Sequence, residues 1–98
     1  MSLHATICRY DGVTGPIDEV MRAGRRLASA LSQTPGFVSY ALLDAGDGVL
    51  VSIYVVEDRT DLEAADRLIE RWMAEHLAAL LPQPIEVIAG EVIVQRGM

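Results

Sequence analysis

The most telling stretch of this chain is Val49-Leu50-Val51-Ser52-Ile53-Tyr54-Val55-Val56, an apolar run broken only by Ser52. A strand with one wet face alternates apolar and polar residues, whereas one covered on both faces reads as continuous Val, Ile and Leu. A first strand is predicted over Leu3 to Tyr10, with Leu3, Ala5 and Ile7 on one side and His4, Thr6, Cys8 and Tyr10 on the other. Asp11 to Gly15 is a turn, and Pro16 suits the first position of a helix whose positive end Asp18 and Glu19 favour. Apolar residues then recur with the helical period at Ile17, Val20, Met21, Gly24, Leu27, Ala28 and Leu31. Gly24 on that stripe lowers helix propensity but permits close approach to a sheet, and Thr34-Pro35-Gly36 ends the segment.

Phe37 to Leu43 and Val49 to Val56 read as two strands of a hairpin closed by Asp44-Ala45-Gly46-Asp47-Gly48. Closure about Gly46 sets Tyr40 opposite Ser52 and puts Tyr54 on the same face. The other face then holds Phe37, Ala41, Leu43, Val49, Val51, Ile53 and Val55. A second helix opens on Thr60-x-x-Glu63, a capping box, and runs to about Leu81, where Pro82 and Pro84 stop it. Leu62, Ala65, Ile69, Met73 and Leu80 form its apolar stripe, and Ile85 to Gln95 is a last strand with Gly90 as a bulge or close-contact point.

The order is βαββαβ. It predicts one α+β domain over residues 1–98 of the ferredoxin-like class, a four-stranded antiparallel sheet with both helices on one face. Two helices cover only one face, so the second is expected to be hidden by another copy of the chain, giving a homodimer through the open sheet face.

Composition narrows the partners. A content of 51% hydrophobic residues in 98 suits a core shared with a partner. The formal net charge of −6, from 8 basic and 14 acidic residues, argues against nucleic acid and anionic membranes. Arg22, Arg25 and Arg26 cluster as a solvated helix face. The single Cys8 has no intrachain partner and reads as a buried thiol. Neither a signal peptide nor a membrane-spanning run is visible, so a soluble, cytoplasmic protein is expected.

Candidate chemistry gathers on the second helix. His76 falls within the apolar stripe with Trp72 one turn before it, an arrangement that points an imidazole and an indole at the sheet. Tyr40 and Tyr54 could line the same cavity with the groups of the first strand, suited to an aromatic ligand. The plainer reading makes Trp72 and His76 core or edge residues and the tyrosines a subunit contact. Glu57, Asp58, Asp61, Glu63 and Asp66 crowd the start of the helix, where acids are expected. No zinc spacing, phosphate loop, dinucleotide fingerprint or nucleophile elbow is present, so neither a metal nor another cofactor is expected.

Pro35-Gly36-Phe37-Val38-Ser39-Tyr40, then Val51 to Asp58 running into a Thr60-capped helix, and the closing Gly90-Glu91-Val92-Ile93-Val94 together resemble the antibiotic biosynthesis monooxygenase family of dimeric α+β barrels. The resemblance spans nearly the whole chain. It implies a cofactor-independent monooxygenase acting on a small aromatic or polyketide-like compound, with His76 exchanging protons and Trp72, Tyr40 and Tyr54 lining the substrate. Family members often carry a Trp at the end of the third strand and a His early in the second helix; here those regions read Val55-Val56-Glu57-Asp58 and Ala64-Ala65-Asp66. The haem-degrading branch places its axial His on the second helix, which would be His76, but it also uses an Asn, and this chain has none. The competing expectation is a non-enzymatic dimeric ligand-binding or structural module.

Overall fold

Period-two alternation sorts the strands, and the helices follow from it. The computed structural model describes residues 2–77 and 83–97. Its elements are β1 (His4–Tyr10), α1 (Ile17–Leu31), β2 (Phe37–Gly46), β3 (Val49–Val56), α2 (Arg59–Trp72) with a π-helical turn continuing it over Met73–Leu77, and β4 (Glu86–Glu91). The sheet has the order β2-β3-β1-β4 with every pair antiparallel, the expected ferredoxin-like α+β architecture.

Side chains at alternate positions of β1 and β3 point to opposite faces. On one face Cys8, Tyr10 and Leu50 are buried against Val20 of α1. Farther along that face Tyr54 and Val56 are buried against Leu27 and Leu31 of α1 and Leu62 and Ala65 of α2. Both helices therefore lie on the face carrying the hydroxyl and phenol groups. The other face stays open. Across it Ala41, Ile53, Ile7 and Ile88 stand in one row, each paired with the next, one from every strand. Ile7 is 37% exposed, Leu43 49% and Ile88 54%. Val55 shares this face by register, yet it is buried within the single chain.

The hairpin differs in register from the symmetric closure. Asp47 and Gly48, both at positive φ, make a two-residue turn, and an irregularity between Asp44 and Gly46 shifts the pairing above it. Tyr40 consequently pairs with Tyr54, and Leu42 with Ser52. The shift is by two residues, so the faces are preserved. A second irregularity between Phe37 and Ser39 sets Phe37 opposite Val56, where it packs with the helices and not on the apolar face.

Helix ends depart from expectation where local chemistry outcompetes the pattern. Pro16 is the residue before α1, not its first. For α2 the cap is Asp58, whose carboxylate accepts from the Asp61 amide at 2.9 Å; Asp58 precedes Thr60 and takes the capping role from it. The α-helix stops at Trp72, and the expected end near Leu80, Leu81 and Pro82 lies outside the described residues. Strand β4 ends at Glu91, so Ile93 and Val94 fall beyond it and are exposed. Gly90 pairs regularly with Ala5, and a Cβ there would meet nothing, so it is neither a bulge nor a close contact.

Gly24 and Gly36 mark close approaches between elements. Gly24 is buried, and a Cβ there would come 3.2 Å from Leu42, so α1 lies close on β2 as its sequence position suggests. Gly36 adopts φ +74, and a Cβ there would clash with the Asp61 carboxylate. Its carbonyl also accepts from the Glu57 amide at 2.8 Å, tying the entry of β2 to the entry of α2. Gly36→Ala is expected to cost about 1–2 kcal/mol in backbone strain alone, with the Asp61 clash adding to it, a Tm loss on the order of 5–10 °C. Gly12→Ala has the same positive φ but open space, so its smaller loss by calorimetry separates strain from clash. Equal losses for the two variants would contradict the clash.

Candidate active site

A cavity of about 490 Å³ lies between the helix-side face of the sheet and α2, within the size range of small-molecule sites. Its floor is Thr6, Cys8 and Tyr10 of β1, Tyr54 of β3, and Val87 and Ala89 of β4. Asp66, Ile69 and Glu70 of α2 form one wall, continued by Met73 and Ala74 of the π-helical turn, and Gln83 and Pro84 border it where the described chain resumes. Most of this surface is apolar. The polar groups concentrate where β1 and β3 meet α2.

There Tyr54 is buried and its hydroxyl donates to Asp66 Oδ1. Asp66 reaches this position because it follows Leu62 by four residues and precedes Ile69 by three, which sets it on the inward face of α2. Burial pushes its carboxyl up from the ordinary value of 3.8, and the Glu70 carboxylate pushes it further. Burial also holds the Tyr10 and Tyr40 phenols at about 12, with the nearby Cys8 adding to each. The Cys8 thiol is raised by burial, partly offset by a hydrogen bond with Ser52, and so remains protonated. Tyr10, Tyr40 and Cys8 are therefore neutral near pH 7, and none can take a proton there. Asp66 and Glu70 are the carboxylates that line the cavity, and Asp66 is the one hydrogen-bonded to a buried phenol.

The four residues singled out by the sequence separate. Tyr54 lines the cavity. Tyr40, paired with it on the same row, borders a second hollow of about 10 Å³ that it shares with Tyr10 and Ser52, room for about one water. Trp72 packs against both halves of the core, and its buried indole N–H has no partner among the described residues. His76 does not point at the sheet. It sits on the π-helical turn with its side chain 50% exposed, its ring centroid 4.4 Å from that of Trp72 and its Nε2 3.8 Å from the Glu75 carboxylate. A π turn holds more residues than an α turn, which takes His76 out of phase with the stripe of Leu62, Ala65 and Ile69.

Haem does not fit these residues. The histidine that would be its axial ligand lies outside the cavity, beside a carboxylate at the surface. Among the described residues no group of three or more His, Cys, Asp or Glu side chains is placed to hold a metal ion, and no helix is long and apolar enough to cross a membrane.

No family model matches the sequence, and no characterised protein is found as a sequence relative. Solved structures do match over nearly the whole chain. A Nitrosomonas europaea protein provisionally assigned as an antibiotic biosynthesis monooxygenase superposes with a TM-score of 0.79 at 17% identity, covering 97% of this chain and 94% of its own. A similarly assigned protein of Chloroflexus aurantiacus gives a TM-score of 0.76 at 16% identity, covering 98% of both chains. SnoaB, a cofactor-independent oxygenase from Streptomyces nogalater, gives 0.71 at 22% identity, covering 100% of this chain and 98% of its own. The likeness is one of fold, that of the antibiotic biosynthesis monooxygenase-like proteins.

The raised Asp66 carboxyl has a measurable consequence. The folded chain holds that proton more tightly than the unfolded chain, so stability falls as pH rises from 3.8 through the raised folded value, and the penalty is complete above it. Asn at this position keeps an acceptor for Tyr54 but has no charge to desolvate. The Tm of Asp66→Asn minus that of the native chain is expected to be smallest near pH 3 and to grow with pH to a plateau. A difference independent of pH would contradict the assignment.

Proposed function

We propose that this chain is a cofactor-independent oxygenase that takes a small aromatic or polyketide-like compound into the cavity under α2. One observation carries the reading: a carboxylate desolvated and bonded to a buried phenol at the polar end of an otherwise apolar chamber. Such a pairing of burial with a raised basicity is the mark of a group poised for proton transfer. The fold shared with a cofactor-independent oxygenase supports the same chemistry.

In this reading the substrate is a hydroxylated aromatic that supplies the electrons. Asp66 accepts the proton of its O–H, and Tyr54 holds that carboxylate in place. The resulting electron-rich ring reacts with O₂ at a ring C–H carbon. One oxygen atom ends in the new carbonyl, and the other leaves as water with the hydrogens of the substrate O–H and C–H. The ring is oxidised to a quinone and O₂ is reduced. Ile69 and Met73, both half-buried, give Asp66 an apolar wall that strengthens the electrostatics of the proton transfer. The proton-acceptor role expected of His76 falls here to Asp66, while Trp72 braces the helix that carries it. A second copy of the chain covers the open row of Ala41, Ile53, Ile7 and Ile88.

Turnover of hydroxylated polycyclic aromatics under ¹⁸O₂ tests the reading. One labelled atom is expected in the quinone and the other in water. Asp66→Asn is expected to lower kcat by at least about 100-fold, the usual weight of general-base catalysis, while His76→Gln changes it by less than about twofold. The reverse pattern would return the role to His76, and absence of label from every product would exclude the oxygenase.

A further inference from the structure

Thr6, on the cavity floor, presents an anomaly. It is 2% exposed, and its Oγ1 has no hydrogen-bond partner among the described residues. A buried hydroxyl without a partner costs roughly 1–3 kcal/mol, and a valine of nearly the same shape would avoid that cost. Thr6 stands between Tyr54 and Ala89 in one row across the sheet, and all three line the cavity with Asp66. Asp66 uses Oδ1 for Tyr54, and no bond to its Oδ2 is found among the described residues. Charge is equally one-sided: Asp66 and Glu70 line the cavity, and no Lys, Arg or His among the described residues does.

We infer that Thr6 and Asp66 form a two-point anchor for an uncharged ligand bearing an O–H group, and that the cavity excludes carboxylates. The ligand oxygen accepts from the Thr6 hydroxyl while its O–H donates to the free oxygen of Asp66. The hydroxyl that lacks a protein partner gains one in the complex. A ligand carboxylate would instead meet Asp66 and Glu70 with no cation to offset the repulsion. Thr6 is thus a specificity residue, and the inference rests on the reading of the cavity as a ligand site.

Calorimetric titration of the full chain at pH 7 with 2-naphthol, 2-methoxynaphthalene and 2-naphthoate tests it. Naphthol is expected to bind best, the methoxy compound more weakly because it cannot donate to Asp66, and naphthoate about tenfold or more below naphthol. Thr6→Val is expected to weaken naphthol and methoxynaphthalene by about three- to tenfold each, while the Tm of the ligand-free protein stays level or rises. Naphthoate binding as tightly as naphthol would overturn the charge filter. Unchanged naphthol affinity in Thr6→Val, or a fall of several degrees in its ligand-free Tm, would make the hydroxyl a structural group and overturn the anchor. If none of the three compounds binds the native chain, the ligand-site reading fails and the anchor with it.

Discussion

Two helices cover one face of a four-stranded sheet and no more, and the rest of the molecule answers to that limit. The alternation of β1 and β3 decides which groups go beneath the helices. Thr6, Cys8, Tyr10, Ser52 and Tyr54 go under, together with Leu50 and Val56. The all-apolar row of Ala41, Ile53, Ile7 and Ile88 is left outside. A protein shaped only for stability would reverse that choice, burying the isoleucines and wetting the hydroxyls. The inversion makes sense if the helix side is a chamber and the apolar side is a contact.

The buried polar groups are the costly part of this arrangement. Tyr54 and Asp66 satisfy one another, but Asp66 does so with its charge desolvated and Glu70 nearby. Thr6 Oγ1 and the Trp72 indole N–H have no partner among the described residues. Groups of this kind persist where a function needs them, because an apolar replacement of similar shape would be more stable. The same low-dielectric surroundings that penalise Asp66 also raise its basicity, so the cost and the chemical usefulness have one physical origin.

Much of the fold was legible because it depends on periodicity. The two-residue alternation of Leu3 to Tyr10, the helical spacing from Ile17 to Leu31, and the Gly/Asp turn after Leu43 all lie where the structure has strands, a helix and a hairpin. Details resting on single bonds were not legible. Asp58 displaced Thr60 as the cap because its carboxylate reaches the Asp61 amide, and the turn at Asp47-Gly48 with its adjoining irregularity reset the pairing of Tyr40. The site was only partly legible. Tyr54 follows from alternation, but the α-helical period that puts His76 on the apolar stripe fails where the segment is π-helical. Asp66 was masked among the helix-start acids, although its spacing from Leu62 and Ile69 marks it as a carboxylate on an apolar stripe. That mismatch is the signal in the sequence, and it outweighs the aromatic pair of Trp72 and His76.

Sedimentation equilibrium of the native chain beside Ile53→Glu asks whether the uncovered face is a contact. A dimer at micromolar concentration is expected for the native chain and a folded monomer for the variant, whose carboxylate would lie in the middle of the apolar row. A native chain that sediments as a single 10.7 kDa subunit across that range would contradict it.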